Sequence, residues 1–186
     1  MPRIFILMAS LSGLSALACS NSSTSSAGET PDSGGTDSGC TAYVSEADLT
    51  TPTVSFKTDI LPIFQQSCGV NGATCHGDIA EEDAGLERPF LGLFDGGTDP
   101  ATVISAIVGV PSNEDPQMKE VTAGSAANSY LMHKLDGDEC TLAAACAKGS
   151  TIYTTCGANM PFTAASLDVS TRDTIRRWIA QGASNN

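Results

Sequence analysis

The sequence predicts an all-α fold, a bundle of short helices joined by long loops. Three observations predict this class. Apolar residues recur at the i, i+3, i+4 spacing of a helix in several short segments. Residues that cap or stop helices stand at the ends of these segments. The stretches between them are polar or rich in glycine and cysteine.

The first helix is predicted over residues 59–67. Its apolar face consists of Ile60, Ile63 and Phe64. Pro62 is tolerated in a helix only near the first turn, so we expect the helix to begin shortly before it. The helix leads directly into Cys68, which places that thiol at its C-terminal end.

A loop and a second helix are predicted to follow. Residues 77–100 are loop-like and contain the apolar patch 89–94, which either lines a cofactor pocket or covers the core. The second helix spans residues 101–108. The apolar side of this helix is formed by Val103, Ile104 and Ile107. Residues 111–122 are predicted to form a polar loop.

The third helix is predicted to start after Ser125 as its cap and to end at Leu135, with Gly137 as the stop. His133 lies about 200° around this helix from Leu131, which faces the core. We therefore expect His133 to be exposed or peripheral, and a role as a ligand is the less favoured interpretation.

Residues 139–157 are predicted to form a cysteine-rich loop, and a last helix spans residues 171–181. Ser170 precedes this helix and Asp173 follows three residues later, which is a capping-box pattern. Gly182 ends the helix. Its apolar face is formed by Ile175, Trp178 and Ile179.

The N-terminus is typical of an exported protein. Residues 1–19 contain Arg3 and a short apolar run, and they end in Ala16-Leu17-Ala18-Cys19, which resembles a bacterial lipobox. Cys19 would take up lipid after cleavage, and an ordinary secretory signal cut near the same place is the alternative. We expect a periplasmic or outer-surface protein, anchored to the membrane as a lipoprotein, in an oxidising compartment.

The mature chain is predicted to consist of a linker and one domain. Residues 20–50 are rich in Ser, Thr, Gly and Asp and are interpreted as a flexible linker. Residues 51–186 form the domain. The formal net charge of −12 argues against nucleic acid as a partner and favours either a partner with a cationic surface or simple solubility.

Cys68, Cys75 and His76 form the central motif of the chain. A Cys-His pair with an upstream cysteine is the chemistry of c-type haem attachment. The two thiols add to the haem vinyl groups, and the imidazole ligates the iron. The spacer between the cysteines has six residues, where two are usual. Its two glycines and Asn71 suit a loop that bulges outward.

The motif and its surroundings resemble the c-type cytochrome domain of exported bacterial proteins, over residues 55–183. The resemblance also rests on Met160-Pro161 and on a closing helix. That helix ends in Arg177-Trp178-Ile179-Ala180-Gln181-Gly182-Ala183. The resemblance implies a cytochrome c-like bundle in which Cys68 and Cys75 hold one haem c. It also implies His76 as the proximal iron ligand and Met160 as the distal one. The long spacer is compatible with attachment of haem through Cys75 alone. It is also compatible with an extended loop between the two thioether bonds.

This resemblance implies a mono-haem electron carrier rather than an enzyme. His76 and Met160 would occupy both axial positions of the iron, so no position remains for oxygen or peroxide. The chain contains one Cys-His pair, since His133 is preceded by Met132. The implied partner is a redox protein.

The seven cysteines allow two main interpretations. With haem bound, four cysteines remain for two disulfides: Cys40, Cys140, Cys146 and Cys156. Cys156 is then expected to pair with Cys140 or Cys146. The alternative is a haem-free lipoprotein domain for surface or partner binding, with three disulfides that include Cys68–Cys75. Zinc held by cysteines and His76 is less favoured, because these cysteine spacings are wider than those of structural zinc sites.

Overall fold

The computed structural model describes residues 40–69, 75–77, 89–94, 96–149, 155–162 and 164–186. The predicted signal peptide, Cys19 and the six-residue spacer apart from Gly69 lie outside these residues. Within them the regular structure consists of helices and isolated β-bridges, without a strand, so the predicted all-α class is confirmed. No helix in the described part of the chain is long and apolar enough to cross a membrane.

Within the described residues, five α-helices and three tighter or wider helical segments follow one another. The α-helices are α1 (Leu61–Ser67), α2 (Pro100–Ile107), α3 (Tyr130–Asp136), α4 (Ala143–Gly149) and α5 (Val169–Ala180). The others are a π-helical segment at Phe56–Ile60 and 3₁₀ segments at Ala126–Asn128 and Glu139–Leu142. Isolated bridges between residues 108 and 129 tie the loop between α2 and α3 to itself.

The first helical segment begins earlier than the sequence predicted. Ser55 accepts a hydrogen bond from the Thr58 amide through its side chain, which starts the π-helical segment before α1. Pro62 then occupies the first turn of α1, as predicted. Cys68 is the C-terminal cap of α1, and its amide donates to the Phe64 carbonyl oxygen.

The predicted cap of α5 was wrong. Asp168 is the cap, and its carboxylate accepts from the Thr171 amide at 2.8 Å, while Ser170 lies inside the first turn. Ser170 supports this cap by donating its hydroxyl proton to the same carboxylate oxygen at 2.6 Å. Asp173 accepts instead from the Ser45 hydroxyl and from Arg176.

The middle of the chain also differs from the prediction. Ser125 precedes the short 3₁₀ segment, and α3 begins only at Tyr130. Gly137 stops α3 as predicted, with a φ of +72°. Residues 139–157 are not simply a loop, because they contain the second 3₁₀ segment and α4.

The main core joins the first helical segments to α5 through three aromatic rings. The Trp178 ring centroid lies 5.1 Å from that of Phe56 and 6.4 Å from that of Phe64. Ile175 and Ile179 of α5 are also fully buried, which confirms the predicted apolar face of this helix. The same cluster includes Cys68, so the first cysteine of the motif is part of the core.

Residues 40–52 are bonded to α5 and to Asp138, which follows α3. The Tyr43 ring stacks against the guanidinium groups of Arg172 and Arg176, each 5.0 Å from the ring centroid. Arg177 donates to the Asp48 carbonyl oxygen at 2.7 Å. The C-terminal part of the predicted linker, from Cys40 to residue 50, is therefore held against the helices.

Candidate functional site

The Cys-His pair, Cys75 and His76, lies against the C-terminal end of α1. The His76 amide donates to the Cys68 carbonyl oxygen at 3.0 Å, and the Leu91 amide donates to the His76 carbonyl oxygen at 2.8 Å. His76 is therefore hydrogen-bonded through its backbone to both sides, the end of α1 and the 89–92 segment. This arrangement places Cys68, Cys75 and His76 together despite the six-residue spacer.

Two glycines allow the end of α1 and the 89–92 segment to come this close. A Cβ at Gly69 would lie 2.1 Å from the Gly92 carbonyl oxygen, which leaves room for no side chain. Gly92 adopts a φ of +111° and packs against Gln65 and Leu61 of α1. Sequence patterns alone assign these two glycines no role in the site, because no local pattern links positions 69 and 92.

The imidazole of His76 is oriented by a backbone carbonyl. Its Nδ1 lies 2.9 Å from the Pro89 carbonyl oxygen, which can only accept, so Nδ1 donates a proton in this contact. In the neutral ring the lone pair then resides on Nε2. A metal-ligating histidine commonly has this arrangement, in which the second ring nitrogen is hydrogen-bonded to a carbonyl or carboxylate oxygen.

The Cys68 thiol is held in its neutral form. The side chain is buried, and burial together with the nearby Cys75 raises the pKa of the Cys68 thiol to about 12. Thiolates rather than thiols ligate zinc and act as nucleophiles, so this environment favours neither role. No cluster of three or more His, Cys, Asp or Glu side chains suited to a metal ion occurs within the described ranges.

The four cysteines predicted to form disulfides do so. Cys146 pairs with Cys156 across a Cα separation of 5.3 Å, which confirms one of the two partners expected for Cys156. Cys40 pairs with Cys140 across 6.0 Å. Among the described residues, Cys68 and Cys75 are the cysteines that remain as thiols.

The two residues considered for the second axial position lie in different environments. Met160 is partly buried and packs against the main core, the cluster that contains Cys68 and Leu91. His133 instead has both ring nitrogens within hydrogen-bond distance of residues outside that core cluster. Its Nδ1 lies 2.7 Å from an Asp138 carboxylate oxygen and its Nε2 lies 3.3 Å from the Ala127 carbonyl oxygen. The His133 side chain is 15% exposed, and both of its ring nitrogens are engaged in these contacts.

The apolar patch after the motif is divided between core and surface. Phe90 and Leu91 are buried in the main core, whereas Leu93 and Phe94 are exposed. The buried pair holds the 89–92 segment in place, and this segment in turn carries the carbonyl that orients His76.

The chemistry of the residues at this site fits a covalently bound haem. Cys68 and Cys75 supply two thiols beside each other, and His76 supplies an imidazole whose hydrogen bond favours a lone pair on Nε2. Met160 supplies a thioether on the same core. These are the residues that could hold the cofactor.

Comparison with known proteins identifies no relative of this chain. No protein-family model, no curated protein and no solved structure matches the chain.

Proposed function

We propose that the domain is a mono-haem c-type cytochrome-like electron-transfer protein. The haem would be attached at Cys68 and Cys75, with His76 and Met160 as axial ligands. One observation carries this proposal. Four of the six described cysteines form two disulfides, and the two that remain as thiols are the two cysteines of the Cys-His motif.

The orientation of His76 supports the proximal role. The hydrogen bond from Nδ1 to the Pro89 carbonyl oxygen restricts rotation of the ring and favours a lone pair on Nε2. The backbone bonds of His76 to Cys68 and Leu91 fix the position from which this ring projects. The protein would thus present an oriented ligand rather than one that must be ordered on binding.

The donor set supports electron transfer rather than catalysis. A haem bound here would supply one-electron chemistry at its iron. The chain's contribution would be an imidazole and a thioether, two ligands that together occupy both axial positions and favour a high reduction potential. Burial of Cys68 in the core would fix one edge of the cofactor.

The remaining parts of the proposal concern location and partners. The lipobox-like end of the signal sequence supports lipidation at Cys19 and a periplasmic or outer-surface protein attached to a membrane. The two disulfides are compatible with such an oxidising compartment. The net charge of −12 supports a redox partner with a cationic surface and argues against nucleic acid.

The proposal is tested by expression in a bacterial host that carries the cytochrome c maturation system. We expect a coloured protein whose haem stays attached after denaturation and whose mass includes one haem. Cys75→Ser should weaken or abolish covalent attachment. His76→Ala should remove the normal low-spin spectrum. A matched control is Cys146→Ser, which alters a disulfide but leaves the motif intact.

A colourless wild-type protein from this host, with a Cys68–Cys75 disulfide found by peptide mapping, would overturn the proposal. That result would favour the haem-free, disulfide-stabilised domain for surface or partner binding. Haem that is retained but lost on denaturation would contradict attachment through the two thiols.

A further inference from the structure

We propose that Lys134 positions Met160 as the distal ligand by holding both ends of the five-residue segment from Cys156 to Met160. This inference rests on the proposed function. The Lys134 carbonyl oxygen accepts from the Met160 amide at 2.8 Å. The Lys134 ammonium donates to the Cys156 carbonyl oxygen at 2.6 Å. One residue of α3 is therefore bonded to the first and the last residue of the segment.

The ammonium group of Lys134 is buried with a counter-charge. The residue is 5% exposed, and its Nζ lies 3.2 Å from a carboxylate oxygen of Glu114. The Tyr130 hydroxyl donates to the same oxygen at 2.5 Å. A buried lysine is costly unless it is paired and hydrogen-bonded, and here both conditions are met. The position of the ammonium group is consequently well determined.

The segment lies directly on this ion pair. A Cβ at Gly157 would lie 2.4 Å from Glu114 Oε1 and 2.9 Å from Lys134 Nζ. Gly157 also has a φ of +70°, which a glycine adopts without strain. The absence of a side chain at this position allows the backbone to approach Lys134 closely enough for the bond to the Cys156 carbonyl.

The two ends of the segment are anchored differently. The Cys146–Cys156 disulfide fixes its start covalently, and both sulfur-bearing residues pack against Tyr130 in a second buried cluster. The end at Met160 has the amide bond to Lys134 and its packing on the main core. Lys134 thus couples the covalent anchor to the residue whose thioether would ligate iron.

The first test uses the haem-free protein and amide hydrogen exchange. Lys134→Met preserves much of the side-chain length but removes the charge and the bond to the Cys156 carbonyl. The Met160 amide keeps its backbone acceptor at residue 134. We expect this amide to exchange about tenfold faster or more, because the other end of its segment loses a charge-assisted hydrogen bond. The control is Lys119→Met, because the exposed Lys119 donates to the Gly109 carbonyl oxygen, away from this segment. That variant should leave the Met160 exchange rate unchanged.

The second test uses the haem-loaded protein and imidazole as a competing ligand. Lys134→Met should weaken the far-red sulfur-to-iron band and lower the imidazole concentration at half-displacement by about tenfold. Gly124→Ala provides a variant destabilised elsewhere, since Gly124 has a φ of +82° and lies outside the main core. It should leave the imidazole midpoint unchanged even where its resistance to urea is lowered, which separates positioning from general stability.

The outcomes distinguish this inference from the proposed function. Unchanged Met160 exchange and an unchanged imidazole midpoint in Lys134→Met would overturn the positioning role alone. A wild-type protein with covalent haem but no far-red band would overturn both the ligand assignment and this role. If Lys134→Met does not fold, Tyr130→Phe removes one hydroxyl from the same network. That variant should accelerate Met160 exchange to a smaller degree, and an unchanged rate would overturn the inference.

Discussion

Replacement of Gly69 with alanine tests the close packing that holds the Cys-His motif together. The added Cβ would lie 2.1 Å from the Gly92 carbonyl oxygen and 3.1 Å from that of Gln65. Both are backbone atoms, which cannot rotate away as the end of a side chain can. Because real Cβ contacts stay above 3.0 Å, the 69 and 92 backbones must separate by about 0.9 Å.

This separation should affect both stability and the site. Overpacking of this kind costs about 1–3 kcal/mol of unfolding free energy, which urea denaturation would measure. The 89–92 segment also carries the Leu91 amide that donates to the His76 carbonyl oxygen. We therefore expect faster hydrogen exchange at the amides of His76 and Leu91 in Gly69→Ala, even in the haem-free protein.

Gly124→Ala is the matched control. Gly124 has a φ of +82°, and nothing lies within 4 Å of the position that an added Cβ would take, so the substitution strains the backbone without a clash. A left-handed conformation costs alanine about 1–2 kcal/mol. This variant should lose stability but keep the wild-type exchange rate at His76. If Gly69→Ala is as stable as the wild type, or changes His76 exchange no more than Gly124→Ala does, the two segments do not pack this closely.

Four further predictions concern single side chains. Burial raises the pKa of Glu120 to about 7, so stability should fall as pH rises from about 4.5 to 7, and urea midpoints of Glu120→Gln should lack this fall. The Asp168 pKa is lowered to about 2 by its bonds to Ser170 and Thr171, so its contribution is present above about pH 4 and lost as pH falls towards 2. Asp168→Ala should therefore lower the melting temperature at pH 7 and Asp168→Asn should not. Cys19→Ser should release the protein from membrane fractions, and a wild-type protein found only in soluble fractions would contradict lipidation. Met160→Ala should abolish the far-red band and lower the reduction potential with haem still attached, and an unchanged spectrum would remove Met160 from the site.

Local sequence patterns predicted the helices whose apolar faces meet the core. Ile175, Trp178 and Ile179 recur at helical spacing, and all three are buried where α5 meets Phe56 and Phe64. The cap of the same helix was harder to predict. Asp168 and Ser170 are both residues that favour caps, and which of them starts the helix depends on the backbone path that precedes it.

The candidate site was predicted by residue type but not by its supporting contacts. Four cysteines were identified as disulfide partners because they remain once Cys68 and Cys75 are assigned to the Cys-His motif. The partner of Cys40 could not be chosen, because it lies 100 positions away at Cys140. Lys134 was missed for a related reason. A lysine on a helix is normally exposed, and its burial here depends on Glu114 and the Cys156 carbonyl, which are distant in sequence.

The cysteine pairing bears more directly on the proposed function than the helix packing does. A core built on Phe56, Phe64 and Trp178 would stabilise any small helical domain and requires no cofactor. The three-disulfide alternative, in contrast, requires a bond between Cys68 and Cys75. The structure instead anchors the segment before Met160 with one disulfide and the N-terminal segment with the other. Cys68 and Cys75 lie outside both bridges, as the proposed attachment of haem requires.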